Sequence, residues 1–108
     1  FKEIPFADLP LYSYDYDADF PAVARAFKHA IAEADAVLFV TPEYNRSIPG
    51  GLKNAIDWAS RPWGTNSFAR KPSAVIGTSP GAIPEKLFVM LRAIVIAGLA
   101  KLVDEVNQ

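Results

Sequence analysis

The chain has 108 residues, enough for one small domain with a single hydrophobic core. Hydrophobic residues make up 51% of it and charged residues 21%, which is typical of a soluble globular protein. The net charge of -1 argues against a basic surface for nucleic acid or for an anionic membrane. The chain has no cysteine, which excludes disulfides, thiolate nucleophiles and zinc-thiolate sites, and we expect a cytoplasmic protein.

Neither end of the sequence has the pattern of a membrane segment. Residues 1–5 lack the basic start and apolar run of a signal peptide. Residues 87–102 are very apolar, but Arg92 and Lys101 interrupt them, and they fall short of the roughly 20 apolar residues that span a bilayer. We therefore expect no membrane contact and interpret residues 87–102 as a buried or interface helix.

The first part of the chain predicts an edge strand, a loop and a helix. Residues 2–7 have the character of the tail of an edge strand, and residues 9–19 form a loop rich in Pro, Tyr and Asp. A helix is expected over 21–34, with Asp19 as its N-cap and Pro21 in the first turn, where a missing N–H costs nothing. The apolar stripe at three- and four-residue spacing consists of Val23, Phe27, Ile31 and Ala34.

The rest of the chain alternates short apolar strands with helices. Residues 36–40 form a continuous apolar run, typical of a strand covered on both faces. A helix over 49–60 follows, and Pro62 ends it by disfavouring helical backbone at the preceding residue. Residues 73–78 predict a second buried strand, and residues 86–106 a last helix. The expected buried face of the 49–60 helix consists of Leu52, Ala55, Ile56 and Ala59.

The loop after the first buried strand carries polar residues suited to ligand binding. Strands that alternate with helices indicate a parallel sheet, and ligands bind such sheets outside the carboxyl ends of the strands. A helix N-terminus follows this loop, so free N–H groups and the positive end of a helix dipole meet there. Tyr44 offers an aromatic face or edge, and Asn45 offers a donor and an acceptor. The loop residues are Pro42, Glu43, Tyr44 and Asn45.

The second buried strand runs into a loop of small residues, which allows the backbone to approach a ligand closely. If the two strands are neighbours, both loops open at one edge of the sheet and can hold a planar ligand from two sides. Such a site suits a ring whose reduced form is anionic, as a flavin hydroquinone is. The residue types alone leave a second interpretation open, in which the 42–45 loop is only a tight connection with a helix cap. The residues of the second loop are Ser79, Pro80 and Gly81.

A longer run of the sequence resembles a known family. Residues 41–62, TPEYNRSIPGGLKNAIDWASRP, are similar to the signature of the NADPH-dependent FMN reductases, which include quinone, azo-dye and chromate reductases. Residues 8–12, 71–76 and 79–81 are similar to that family at matching places. The resemblance implies a flavodoxin-like fold, a three-layer α/β architecture with a doubly wound parallel sheet.

The resemblance also implies a reaction and a set of binding residues. Members of the family pass a hydride from NAD(P)H to FMN and then pass electrons to a small-molecule acceptor: a quinone, an azo compound, a metal oxyanion or free flavin. Because the cofactor performs this chemistry, we assign no catalytic side chain and no metal ligand. The family forms dimers and tetramers, so we expect a homodimer or homotetramer. The residues that match the two flavin-side loops are Pro42, Glu43, Tyr44, Asn45, Ser79, Pro80 and Gly81.

Two features of the family are not found in the sequence. Members begin with a strand and a Gly-Ser-x-Arg-type loop that binds the FMN phosphate, and nothing similar precedes Phe1. The final strand of the family is also not evident before the last helix. We therefore expect one partial flavodoxin-like domain over 1–108, in which these residues alone bind FMN poorly. Arg46 is the nearest basic residue to the loop, and we expect it to face solvent or another subunit.

Other candidate residues have simpler interpretations. Asp15, Asp17 and Asp19 resemble the opening of a calcium loop, but they lack its later glycine and glutamate, so we interpret them as a solvated loop. Trp58 and Trp63 are expected at a subunit interface or, less favoured, in a substrate pocket.

One alternative function stays open. A flavodoxin-like oligomerisation or interaction module without bound flavin would fit the lack of a phosphate loop, whereas the intact 42–45 loop favours the reductase. A flavodoxin-type electron carrier is disfavoured, because such carriers are strongly acidic and the net charge here is -1.

Overall fold

A computed structural model describes residues 1–78 of the chain. A short 3₁₀ helix (Tyr14–Tyr16) precedes four main elements, and the predicted bounds of those four are confirmed to within two residues. The expected strand tail over 2–7 is wrong, because these residues form no strand and instead turn so that the Leu9 N–H donates to the Phe6 carbonyl at 3.3 Å. The predicted helix over 86–106 lies outside the described residues. The main elements are α1 (Ala22–Glu33), β1 (Val37–Pro42), α2 (Gly50–Ser60) and β2 (Ser73–Thr78).

Helix α1 begins one residue later than predicted and presents a slightly different face. Pro21 occupies the N-cap position and no side chain caps the helix, so the prediction of Asp19 as the cap is wrong. The Asp19 carboxylate instead lies 3.6 Å from the guanidinium of Arg25. The buried stripe contains Ala24 where the sequence predicted Val23, whose side chain is 40% exposed. The rest of the buried stripe is Phe27 and Ile31, as predicted.

The two strands are parallel neighbours joined through α2, which makes a βαβ unit. Their register runs from Val37 opposite Ser73 to Pro42 opposite Thr78. Strand β1 buries every second side chain on one face, so it alternates instead of being buried throughout. Within residues 1–78, therefore, only one face of the sheet is covered, and the expectation of a strand covered on both faces stays a prediction. The more exposed apolar side chains of the other face are Leu38, Val40 and Ile76.

The core lies between the covered face of the sheet and the two helices, and Trp58 is at its centre. The Trp58 side chain is fully buried. Its ring packs edge-on against Tyr12 at 5.1 Å and against Phe20 at 5.0 Å between ring centroids. Trp58 therefore belongs to the core, and its assignment to an interface or a pocket is wrong. Leu52, predicted for the buried face of α2, is only half-buried.

Residues 61–72 connect α2 to β2 and are hydrogen-bonded to both helices. The Ser67 N–H donates to the Ala59 carbonyl of α2 at 2.9 Å. The Lys28 ammonium donates to the Ala59 carbonyl at 2.9 Å and to the Thr65 carbonyl at 2.7 Å. Trp63 in this connection is 87% exposed. Among residues 1–78, no helix is long and apolar enough to cross a membrane.

Candidate functional site

The 42–45 loop begins at the carboxyl edge of the parallel sheet. The final pair of the register joins Pro42 and Thr78. One residue further on, the Glu43 N–H donates to the Thr78 carbonyl at 2.9 Å, which extends the ladder into the loop. Both strands therefore end at the same edge of the sheet, as the sequence predicted for neighbouring strands. The second predicted loop, Ser79, Pro80 and Gly81, lies outside the described residues and stays a prediction.

A tight turn follows at once and fixes the end of the loop. The Tyr44 N–H donates to the Ser47 carbonyl at 2.9 Å, and the Ser47 N–H donates back to the Tyr44 carbonyl at 3.0 Å. The two residues between them have positive φ, 51° at Asn45 and 63° at Arg46, as in a type I′ turn. The side chains of Tyr44, Asn45 and Arg46 are exposed.

The N-terminus of α2 supplies further donors beside this turn. Pro49 occupies the N-cap position, no side chain caps the helix, and its first turn has no acidic residue. Lys53 is the first residue of α2 whose N–H has a helical acceptor, the Pro49 carbonyl at 3.1 Å. The amides that precede Lys53 in α2 therefore have no intrahelical acceptor. A Cβ added to Gly50 would meet nothing within 4 Å, so there is open space at the start of the helix.

This donor set fits the polar edge of a flavin ring. A reduced flavin carries negative charge on that edge, and amide N–H groups, an Asn side chain and the positive end of a helix dipole all stabilise an anion. The exposed Tyr44 ring adds an aromatic surface beside them. The residues that would line the ring on this side are Pro42, Glu43, Tyr44 and Asn45.

A separate groove lies at the other end of α2. Its volume is about 480 Å³. Two of its lining residues, Tyr12 and Arg61, are hydrogen-bonded to each other at 3.0 Å. The groove lies at the C-terminal end of α2, whereas the sheet edge adjoins the N-terminal end, so we do not assign the groove to the candidate site. Its lining residues are Tyr12, Tyr14, Asp57, Ser60 and Arg61.

Sequence reasoning missed the hydrogen-bond network beside this groove. The Tyr12 hydroxyl donates to Oδ1 of Asp17 at 2.6 Å and accepts from Nε of Arg61 at 3.0 Å. The Arg61 guanidinium also donates to Oδ2 of Asp17. The Tyr12 hydrogen bond, followed by those of Arg61, holds the pKa of Asp17 below its usual value, and burial raises the pKa of Tyr12. Asp17 and Arg61 are 44 residues apart, so no local pattern indicates the contact.

His29 and the acidic loop offer no metal site in the part of the chain that is described. Nε2 of His29 lies 3.0 Å from the Glu33 carboxylate on the exposed side of α1. No group of three His, Asp or Glu side chains between residues 1 and 78 is arranged to hold a metal ion.

The βαβ unit, with its candidate ring site at the carboxyl edge, defines a flavodoxin-like α/β protein. The model of the family described as NADPH-dependent FMN reductase matches residues 1–103. The chain therefore belongs to the NADPH-dependent FMN reductase family.

Curated relatives and a solved structure agree with this assignment. The chain is 66% identical over 83 residues to a 2-hydroxy-1,4-benzoquinone reductase of Burkholderia sp, which covers 77% of this chain and 45% of that protein. It is 54% identical over 83 residues to a quinone reductase of Pseudomonas putida, with 76% and 45% covered. The structure of FerB, a flavoenzyme NAD(P)H:(acceptor) oxidoreductase from Paracoccus denitrificans, matches with a TM-score of 0.76 and 49% identity, covering 88% of this chain and 53% of FerB. The chain thus spans about half the length of these relatives.

Proposed function

We propose that the protein containing this chain is an FMN-dependent NAD(P)H oxidoreductase that reduces a quinone by two electrons. In the overall reaction, NAD(P)H, one proton and a quinone give NAD(P)⁺ and a hydroquinone. The observation that carries the proposal is the hydrogen bond from Glu43 to Thr78, which brings the 42–45 loop to the sheet edge next to the uncapped start of α2. When bound, FMN supplies a ring that accepts a hydride and gives up two electrons.

The chain's own residues bind and orient the ring in this proposal. The exposed side chains of Tyr44 and Asn45, held by the turn, contact the ring and donate to its polar edge. The amides at the start of α2 place partial positive charge near the same edge and favour the reduced, anionic state. Pro42 and Glu43 shape the side of the site, and Ser79, Pro80 and Gly81 form the second side.

A quinone is the acceptor favoured by the relatives. The printed names of the Burkholderia and Pseudomonas putida proteins both describe quinone reduction. Azo compounds, metal oxyanions and free flavin remain the other acceptors that the family resemblance implies. We further propose a cytoplasmic homodimer or homotetramer in which these residues are part of one flavodoxin-like domain.

The first test is the colour of the purified full-length protein. We expect flavin absorbance at about 450 nm that bleaches on addition of NADPH and returns on addition of a quinone. A colourless protein that cannot be reconstituted with FMN would contradict the proposal and favour the alternative, an interaction module without flavin.

A charge substitution tests the assigned loop itself. In Asn45→Asp, a carboxylate replaces an amide beside the reduced ring, so we expect the dissociation constant of reduced FMN to rise about tenfold and that of oxidised FMN to rise less. Asn66→Asp is the matched control, because Oδ1 of Asn66 accepts from the Phe68 N–H in the connection after α2, and an aspartate keeps that acceptor. Equal effects of the two substitutions would remove Asn45 from the site.

A further inference from the structure

We propose that Arg46 selects quinones that carry a negative charge, namely quinones with an ionised ring hydroxyl group. The inference rests on the proposed function and names the substrate class of the same site. It depends on the position of Arg46 and on its charge.

The position of Arg46 is fixed by the turn. The reciprocal hydrogen bonds of 2.9 Å and 3.0 Å between Tyr44 and Ser47 enclose only Asn45 and Arg46. Ile48, directly after the turn, is buried and attaches it to the core. The Arg46 side chain is exposed next to the residues proposed to line the flavin ring. An acceptor must approach that ring closely to take electrons, so it comes within reach of the guanidinium.

The charge of Arg46 is not neutralised by an ion pair within residues 1–78. The ion pairs found within residues 1–78 involve other cations, and the nearest lysine along the chain, Lys53 in α2, is 2.5 Å from the Asp57 carboxylate. The positive end of the α2 dipole has the same sign as the Arg46 charge, so together they favour an anion at this edge.

The backbone of Arg46 is held in the left-handed region by the turn. With φ of 63°, Arg46 occupies the position at which a type I′ turn favours glycine. A residue with a Cβ is strained in this region. Because Arg70 has the same kind of φ, 61°, this strain is not evidence of function, and the inference depends on where Arg46 lies and on its charge.

A hydroxyquinone has the charge that such an arginine recognises. Its hydroxyl group is conjugated with a ring carbonyl, as in a carboxylic acid, so it is ionised at neutral pH and shares the charge between two oxygens. A guanidinium donates hydrogen bonds to the ionised oxygen and to the carbonyl oxygen on the neighbouring ring carbon. Reduction adds a hydride equivalent from NAD(P)H and two protons to the anion and gives a neutral trihydroxybenzene. The attraction to Arg46 is then lost, which favours release of the product.

The experiment compares two quinones of similar shape and different charge on the flavin-loaded full-length protein. The substrates are 2-hydroxy-1,4-benzoquinone, which is ionised, and 2-methyl-1,4-benzoquinone, which is neutral. For Arg46→Gln we expect the ratio of kcat/KM for the charged over the neutral quinone to fall about fivefold at low salt, and less at high salt because ions screen the exposed charge. Arg46→Lys keeps the charge and is expected to retain most of the ratio.

Arg70→Gln is the matched control. Arg70 is also an exposed arginine with positive φ, 61°, but it precedes β2 and so lies at the opposite, amino edge of the sheet. Arg70→Gln removes the same charge at the same kind of backbone position. It should not alter the ratio of kcat/KM for the charged over the neutral quinone. As a readout independent of turnover, calorimetry on the oxidised protein without NAD(P)H should show about fivefold weaker binding of the hydroxyquinone to Arg46→Gln.

Three results distinguish failure of this inference from failure of the proposed function. An unchanged ratio and unchanged calorimetry in Arg46→Gln would overturn the inference and leave the proposed function intact. A higher KM for NADPH but not for NADH would also overturn it, because Arg46 would then bind the extra phosphate of the nicotinamide nucleotide. If the wild-type protein reduces neither quinone, the proposed function fails, and the calorimetry alone decides whether Arg46 binds the anion.

Discussion

The Tyr12 hydroxyl donates a hydrogen bond of 2.6 Å to the Asp17 carboxylate. Arg61, the C-cap residue of α2, donates to both groups, so the network ties the loop before α1 to the end of α2. This end of α2 is opposite the end that contributes to the candidate site. The network therefore stabilises the scaffold at a distance from the proposed chemistry.

Acid should weaken this network. The Tyr12 and Arg61 hydrogen bonds lower the pKa of Asp17 from its ordinary 3.8, so the folded state binds a proton less readily than the unfolded state. The contribution of Asp17 to stability is present above pH 3.8 and is lost as the pH falls below that value. We expect Asp17→Asn to be less stable near neutral pH and to lose less stability on acidification, measured by urea unfolding over the acid range.

Asp15→Asn is the control for this prediction, because Asp15 is exposed in the same loop. Its acid dependence should match that of the wild type. Parallel acid profiles for the wild type and Asp17→Asn would show that Asp17 contributes nothing to the acid dependence.

Substitution of the central tryptophan should be strongly destabilising. Nε1 of Trp58 donates to the Pro10 carbonyl at 2.7 Å, and the ring is fully buried. Trp58→Phe loses this hydrogen bond and leaves a cavity, so we expect the free energy of unfolding to fall by about 2–4 kcal/mol. Trp63→Phe, at an 87% exposed position, should change it by less than about 0.5 kcal/mol. Urea unfolding followed by circular dichroism measures both, and similar values for the two variants would be inconsistent with the core position of Trp58.

Alkaline pH should stabilise the protein through Lys28. Burial lowers the pKa of Lys28 from 10.5 to about 8, so the folded state releases this proton at a lower pH than the unfolded state. Stability should therefore rise as the pH increases from about 8 towards 10.5. Lys28→Met lacks this group, so the wild type should become increasingly more stable than Lys28→Met over that range. Lys53→Met, which removes an exposed lysine, serves as the control, and a constant difference for Lys28→Met would rule out the assigned titration.

A glycine in the turn should raise stability while removing the proposed selectivity. Arg46→Gly relieves the strain of a positive φ of 63°, although glycine also gains freedom in the unfolded chain. We expect a net stabilisation of about 0.5–1 kcal/mol in thermal or urea unfolding. Arg46→Ala keeps the strained conformation without the charge, so it should not be stabilised. A loss of stability in Arg46→Gly would mean that the arginine side chain supports the turn.

The sequence predicted the elements of residues 1–78 well where a local rule applied. Pro62 marked the end of α2, and the apolar run before Pro42 marked β1. The position of the 42–45 loop at the carboxyl edge also followed from the alternation of strands and helices. The N-cap of α1 was wrong, because Asp19 forms an ion pair with Arg25 instead, and a local pattern does not rank these two alternatives.

The sequence by itself determined the period of each element and the residue types at the sheet edge, because helix propensity, proline geometry and strand alternation act over a few neighbouring residues. Only the tertiary structure decided that Trp58 fills the core, that Asp17 pairs with Arg61, and that one face of β1 is buried within residues 1–78. These contacts join residues far apart in the chain. They depend on how the helices and the sheet pack, and that packing is a property of the whole fold.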